Sequence, residues 1–192
     1  MKYLIYILIF FGLFCNCAEQ DKDVELYFMG DSLVQLWDIE DDFPGYVTHN
    51  WGRAGSGIYY LMDLPKVPKD AIAIVITGTN ELRPDRSEQE WKDYINLYLK
   101  TISERGGKYV IMAPVFPTEE TWQEHIPTMN SIVKNQIEEY ANIRYLDLYK
   151  EFETDNTIRP EYTTDGLHLS RRAYHVIASR IHEIIIEERC ND

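Results

Sequence analysis

The sequence predicts an α/β fold, a five-stranded, mostly parallel sheet with helices on both faces. Three observations carry that prediction. Short apolar runs alternate with longer amphipathic segments along the chain. Residues 71–77 are nearly all apolar, as a central strand covered on both faces requires. The 192 residues are 45% hydrophobic and 13% aromatic, enough for one packed core and against a disordered chain.

Taken in order, residues 24–29 form the first strand and residues 46–49 a short second one. Residues 71–77, 108–113 and 143–148 supply the third, fourth and fifth. A short apolar stretch, Leu33 to Trp37, follows the first strand. Ser87 and Glu90 have capping-box spacing. Behind them Trp91, Ile95, Tyr98, Leu99 and Ile102 recur at helical spacing until Gly106 stops the helix. A second helix runs from Pro127 to about Ala141, with Ile132, Val133, Ile137 and Tyr140 on one side. Ser170 caps a third, whose stripe is Tyr174, Ile177, Ile181 and Ile184. Such stripes are core faces rather than a cofactor box. Ligands of open parallel sheets gather beyond the carboxyl ends of the strands. That rule places Ser32 and residues 50–55, 78–80 and 114–117 on one edge.

The N-terminus reads separately. Met1 and Lys2 precede an apolar stretch, residues 3–14, followed by Cys15, Asn16, Cys17 and a polar, acidic segment. This is the pattern of an export signal over residues 1–17, leaving one domain over 18–192. The stretch falls short of the about 20 residues of a spanning helix; a membrane anchor or a buried strand are the other readings. Cys17 resembles the lipid-modified cysteine of a bacterial lipoprotein, although Asn16 stands where a small residue is usual and Cys15 competes for the role. The expected location is the periplasm or a membrane surface through a Cys17 lipid, or secretion if neither cysteine is modified. Cys190 has no evident partner, and the absence of CxxC pairs and Cys/His clusters argues against a zinc site or a disulfide framework.

The net charge of −13 repels nucleic acid and anionic lipid headgroups and favours neutral or cationic substrates. The run Asp38-Ile39-Glu40-Asp41-Asp42 lacks the spacing of a calcium loop and reads as a solvated acidic loop.

Four fragments carry chemistry. Ser32, in Gly30-Asp31-Ser32-Leu33, sits where a strand turns into a helix, a geometry that exposes a hydroxyl and converges backbone N–H groups; a plain helix N-cap is the alternative. Asn50-Trp51-Gly52-Arg53-Ala54-Gly55 is a loop whose glycines can free an N–H for a ligand, though most such loops are ordinary turns. Asn80, in Gly78-Thr79-Asn80-Glu81, can aim its amide into a cleft or simply form a turn. Asp165 and His168 can share one turn, the carboxylate holding the imidazole while its other nitrogen faces Ser32. His49, His125, His175 and His182 lack such a setting; the last two lie in the C-terminal helix pattern and read as structural or exposed.

Together and in this order, the fragments resemble the SGNH (GDSL) hydrolase family, from Gly30 to His168. The resemblance implies that family's flavodoxin-like three-layer sandwich. It implies Ser32 as nucleophile, His168 as general base and acid, and Asp165 as its orienter. It also implies an oxyanion hole from the Ser32 N–H, the Gly55 N–H and the Asn80 side chain, with Gly55 preferred over Gly52 because it lies five residues after Asn50. No metal or organic cofactor is needed. Glu81 stands where many members have Asp, a non-catalytic neighbour from which little effect is expected. Trp51 and Arg53 are bulky choices that would shape the substrate site.

The expected activity is a serine esterase working through an acyl-enzyme. An acidic surface carrying Trp51, Tyr59, Tyr60 and Trp122 suits sugar rings better than anionic lipid, and the resemblance then implies an O-acetyl ester of a glycan as the favoured substrate. Members of the family often remove acetyl groups from carbohydrates. The alternatives are a short-chain lipid esterase, a lysophospholipase or a thioesterase, then a non-catalytic glycan-binding protein or an acyltransferase using the same residues.

Overall fold

A computed structural model describes residues 24–82 and 87–191. The expected signal segment, with Cys15 and Cys17, lies outside the described residues. The five expected strands are present as β1 (Glu25–Gly30), β2 (Val47–Gly52), β3 (Ile72–Ile76), β4 (Tyr109–Met112) and β5 (Ile143–Tyr145). They form one sheet in the order β2-β1-β3-β4-β5, and every pairing is parallel.

Alternate residues of each strand enter two different cores. Leu26, Phe28, Ile72, Ile74 and Ile111 face one layer; Tyr27, Met29, Ala73, Val75 and Val110 face the other. Burial on both faces is why these strands read as continuous apolar runs. The first layer is closed by α1 (Ser32–Gln35), α2 (Ile39–Asp42) and α7 (Arg171–Asn191). The second is closed by α3 (Ile58–Asp63), α4 (Glu88–Arg105) and α5 (Ile126–Ile137). The stripe Trp91, Ile95, Tyr98, Leu99 and Ile102 is buried as its spacing implies. Ser87 and Glu90 cap α4 reciprocally, and Ser170 Oγ accepts from the Ala173 N–H at the start of α7.

Three boundaries differ from expectation. β2 runs on through Asn50, Trp51 and Gly52 because these residues pair with Phe28, Met29 and Gly30, so half of the expected loop is strand. β5 stops at Tyr145; the Leu148 N–H turns back to the Leu146 carbonyl. α5 ends at Ile137, where Tyr140 closes a turn onto its carbonyl. The short helix α6 (Tyr149–Phe152) and the hairpin β6 (Glu153–Thr154) with β7 (Thr157–Ile158) were not legible in the sequence.

The acidic run is also corrected. It is not a solvated loop: its last residues form α2, and Asp42 is buried. The Asp42 carboxylate accepts from Trp37 Nε1 at 2.7 Å and pairs with His175 Nδ1 at 2.6 Å, tying α2 to α7. His49 likewise pairs with Glu25, and His182 meets the Asp42 carbonyl, so these histidines have structural partners. Among the described residues no helix is long and apolar enough to cross a membrane.

Candidate active site

The strand order reverses direction between β1 and its two neighbours, and the chain segments leaving β1, β2 and β3 meet at that crevice. Ser32 is the first residue of α1. It is not the N-cap; Asp31 is, and its Oδ1 accepts from the Leu33 N–H at 2.9 Å. The Ser32 hydroxyl is thereby left out of the capping bond. Asp31 is only 1% exposed. Burial pushes its carboxyl up to about 6; the Leu33 N–H opposes the rise and the Glu81 charge adds to it.

The segment after β2 is stitched to this turn. The Arg53 N–H donates to the Gly30 carbonyl at 3.0 Å, and Ser56 Oγ donates to the same carbonyl at 3.1 Å. The Ala54 N–H donates to Gln35 Oε1 at 2.6 Å, and Asn50 Nδ2 to the Val34 carbonyl at 3.0 Å. Gly55, exposed at the tip, has φ +70°, the left-handed region. After β3, the 3-10 turn Thr79–Glu81 presents Asn80, whose Nδ2 donates to the Ser56 carbonyl at 2.9 Å. Asn80 and the Gly55 loop are therefore in direct contact.

The Asp165–His168 pair is built by the loop before α7. Asp165 Oδ2 lies 2.7 Å from His168 Nδ1, while Oδ1 accepts from the N–H groups of His168 at 2.7 Å and Leu167 at 3.0 Å. The His168 ring first, and then its backbone N–H, hold the Asp165 carboxyl down at about 2. The loop itself is closed by Thr163, whose Oγ1 donates to the His168 carbonyl at 2.9 Å. The His168 charge acts on the Asp31 carboxyl in the lowering sense, against the rise that burial imposes. Tyr174 OH, one helical turn on, donates to the Leu33 carbonyl at 2.8 Å and fixes α7 against α1.

The flanking residues behave less uniformly. Arg53 is exposed, with its guanidinium 5.4 Å from the Tyr60 ring. Trp51 is half-buried edge-on against Tyr27, and Tyr60 and Trp122 pack against the second core. Of the four aromatics expected to face sugar, only Tyr59 is exposed, at 67%. Residues 114–117 are buried beyond β4, pinned by Asn130, whose side chain bonds both the N–H and the carbonyl of Val115 at 2.9 Å. Two further residues border the site. Asp31 carries a sequence signal of its own, since Asp before a helix is a capping residue. Glu81 finds its partner, the Ile58 N–H, 23 positions away.

A parallel sheet that gathers a serine turn and a carboxylate–imidazole pair beyond its carboxyl ends is the architecture of an acyl hydrolase. The chain belongs to the GDSL-like lipase/acylhydrolase family, whose model matches residues 30–181, and is a carboxylic ester hydrolase. Among curated proteins it is similar to the platelet-activating factor acetylhydrolase IB subunit alpha1 of Homo sapiens, 24% identical over 191 residues, spanning 91% of this chain and 80% of that one. The alpha2 subunit of Rattus norvegicus is 25% identical over 183 residues, spanning 88% and 79%. Among solved structures, a GDSL-like lipase from Bacteroides thetaiotaomicron superposes with TM-score 0.67 at 20% identity, covering 85% of this chain and 88% of that one. A lipolytic G-D-S-L family member from Veillonella parvula gives 0.65 at 18% identity, covering 84% and 97%. These structural likenesses establish a shared fold.

Proposed function

We propose that the protein hydrolyses short-chain carboxylic esters, acetyl esters first, through an acyl-enzyme on Ser32. The observation that carries the reading is the Asp165–His168 pair, on the loop that leads into α7, the helix Tyr174 ties to the turn of Ser32 and Leu33. Asp165 holds the Nδ1–H of His168, which leaves Nε2 to take the proton of the Ser32 hydroxyl as Oγ attacks the ester carbonyl. The oxyanion that forms is met by the N–H groups of Ser32 and Gly55 and by the Asn80 amide. His168 then passes its proton to the departing alcohol; in the second half it takes a proton from water as the water oxygen attacks the acyl carbonyl, and returns it to Ser32 Oγ as the acyl–Oγ bond breaks and the acid leaves.

Two alcohol portions are compatible with this chemistry. The acidic surface favours a neutral acetylated glycan over an anionic lipid, but the packing of Trp51, Tyr60 and Trp122 removes most of the expected sugar platform. The names of the curated relatives favour an acetylated lipid instead. We also propose export, with Cys17 as lipid anchor, on the strength of the N-terminal pattern alone.

The test is hydrolysis of p-nitrophenyl esters from acetyl to dodecanoyl by residues 18–192 and by Ser32→Ala. Activity on acetyl that falls with chain length and vanishes in the variant supports the reading. Preference for long chains replaces it with a lipid esterase. No Ser32-dependent turnover on any ester overturns it. Acetylated xylan against an acetylated lysophospholipid then separates the two alcohols.

A further inference from the structure

The residue beside Asn80 is engaged with the same loop. Glu81 is buried, 9% exposed, and its Oε1 accepts from the Ile58 N–H at 2.9 Å. The hydroxyl of Tyr94 lies 3.3 Å from that same N–H. Asn80 meanwhile holds the Ser56 carbonyl. Two successive side chains of one turn thus grip both ends of the segment from Ser56 to Ile58, directly after Gly55.

The space for this grip comes from Gly57. A Cβ there would stand 1.4 Å from Glu81 Oε1. The Gly57 backbone is extended, at φ −142° and ψ −158°, a conformation open to any residue. The glycine is therefore required by the carboxylate and not by its own backbone. The Glu81 charge raises the buried Asp31 carboxyl, so the clamp and the residue that caps the Ser32 helix are electrostatically linked.

We propose that Glu81 is a positioning residue of the hydrolytic site: it fastens the Gly55 loop to the Asn80 turn, so that the two donors converge on one oxyanion. The proposal rests on the esterase reading above. Glu81 touches no reacting atom; it acts through the Ile58 N–H and through Tyr94, to which its side chain is also hydrogen-bonded. A misplacement of about 1 Å in such donors costs on the order of 10²-fold in rate.

The experiment compares wild type, Glu81→Ala, Glu81→Gln and Gly57→Ala on p-nitrophenyl acetate, with Ser32→Ala as the blank, and follows amide exchange at Ile58. Glu81→Ala should lose about 10–100-fold in kcat, with KM little changed and faster exchange at Ile58. Glu81→Gln keeps the accepting oxygen and should recover most of the rate. Gly57→Ala should reproduce Glu81→Ala, and the double variant should be no slower than Glu81→Ala. A Glu81→Ala kcat within about twofold of wild type, or a Glu81→Gln variant as slow as Glu81→Ala, overturns the proposal. Should Glu81→Ala fail to fold, Gly57→Ala carries the same comparison. If wild type shows no Ser32-dependent turnover, the esterase reading falls by itself; exchange at Ile58 then decides the clamp, and unchanged exchange in Glu81→Ala overturns it.

Discussion

Asp165 holds His168 twice, by Oδ2 on the ring nitrogen Nδ1 and by Oδ1 on the backbone N–H, each at 2.7 Å. The two contacts do different work. The backbone contact shapes the loop; the ring contact fixes which nitrogen carries the proton. Asp165→Asn separates them, since the amide oxygen can keep the backbone bond while the amide NH₂ opposes the required tautomer. We expect a kcat loss of about 10³–10⁴-fold, with a small fall in melting temperature at neutral pH because the Asp165 charge no longer meets the His168 ring. Asp165→Ala should lose both. Steady-state kinetics beside thermal melts check this, and an Asn variant of near wild-type rate would remove Asp165 from the mechanism.

Asp31 and Asp165 should act on stability in opposite senses. Asp165 is held near 2 in the folded chain, below the ordinary carboxylate value of 3.8. Its contribution is complete above that value and is lost as the pH falls from about 4 to about 2. Asp31 is raised to about 6, so the folded state binds the extra proton and stability is lost as the pH rises from about 4 to about 6. Asp31→Asn removes the charge but keeps the oxygen that caps Leu33. It should melt higher than wild type at pH 7, by about 1–3 kcal/mol, and show no advantage at pH 4. Melting curves across pH 4–8 for both proteins decide it; an advantage independent of pH would assign the effect to something other than the Asp31 charge.

The sheet was legible because its strands are buried on both faces, and uninterrupted runs such as residues 72–76 leave little else to be. The end of β2 was not, since only the partner strand decides that Asn50, Trp51 and Gly52 stay extended. Helices of four to six residues, α2, α3 and α6, are too short to show a period. Ser32, Gly55, Asn80, Asp165 and His168 stand out because each sits in a short fragment of distinctive composition, and the structure joins Asn80 to the Gly55 loop and Asp165 to His168. Asp42 was misjudged because its partner, His175, comes from a distant part of the chain; the Ile58 partner of Glu81 is equally remote in sequence. A charged residue alone in a sequence looks solvated until its partner is known.

The buried Asn130 ties the segment after β4 to α5 through two bonds to Val115. Asn130→Ala leaves a buried N–H and a buried carbonyl without a partner. We expect a loss of about 2–4 kcal/mol, read by urea denaturation, with kcat per folded molecule unchanged. A kcat loss would instead show that this segment shapes the reaction site.

Gly55 separates backbone conformation from crowding. Its φ of +70° disfavours any side chain, yet a Cβ at this position meets nothing within 4 Å. Gly55→Ala should therefore cost about 1–2 kcal/mol through strain alone, part of which the loop can relieve by rotating out of the left-handed region. That rotation re-aims the residue's N–H. The oxyanion role assigned to Gly55 thus predicts a kcat loss of about 10²–10³-fold, the usual cost of one donor, with KM little affected. A Gly55→Ala variant that loses stability but keeps its kcat would show that the third donor lies elsewhere, and not in the N–H groups of Ala54 and Ser56, which Gln35 and the Arg53 carbonyl already hold.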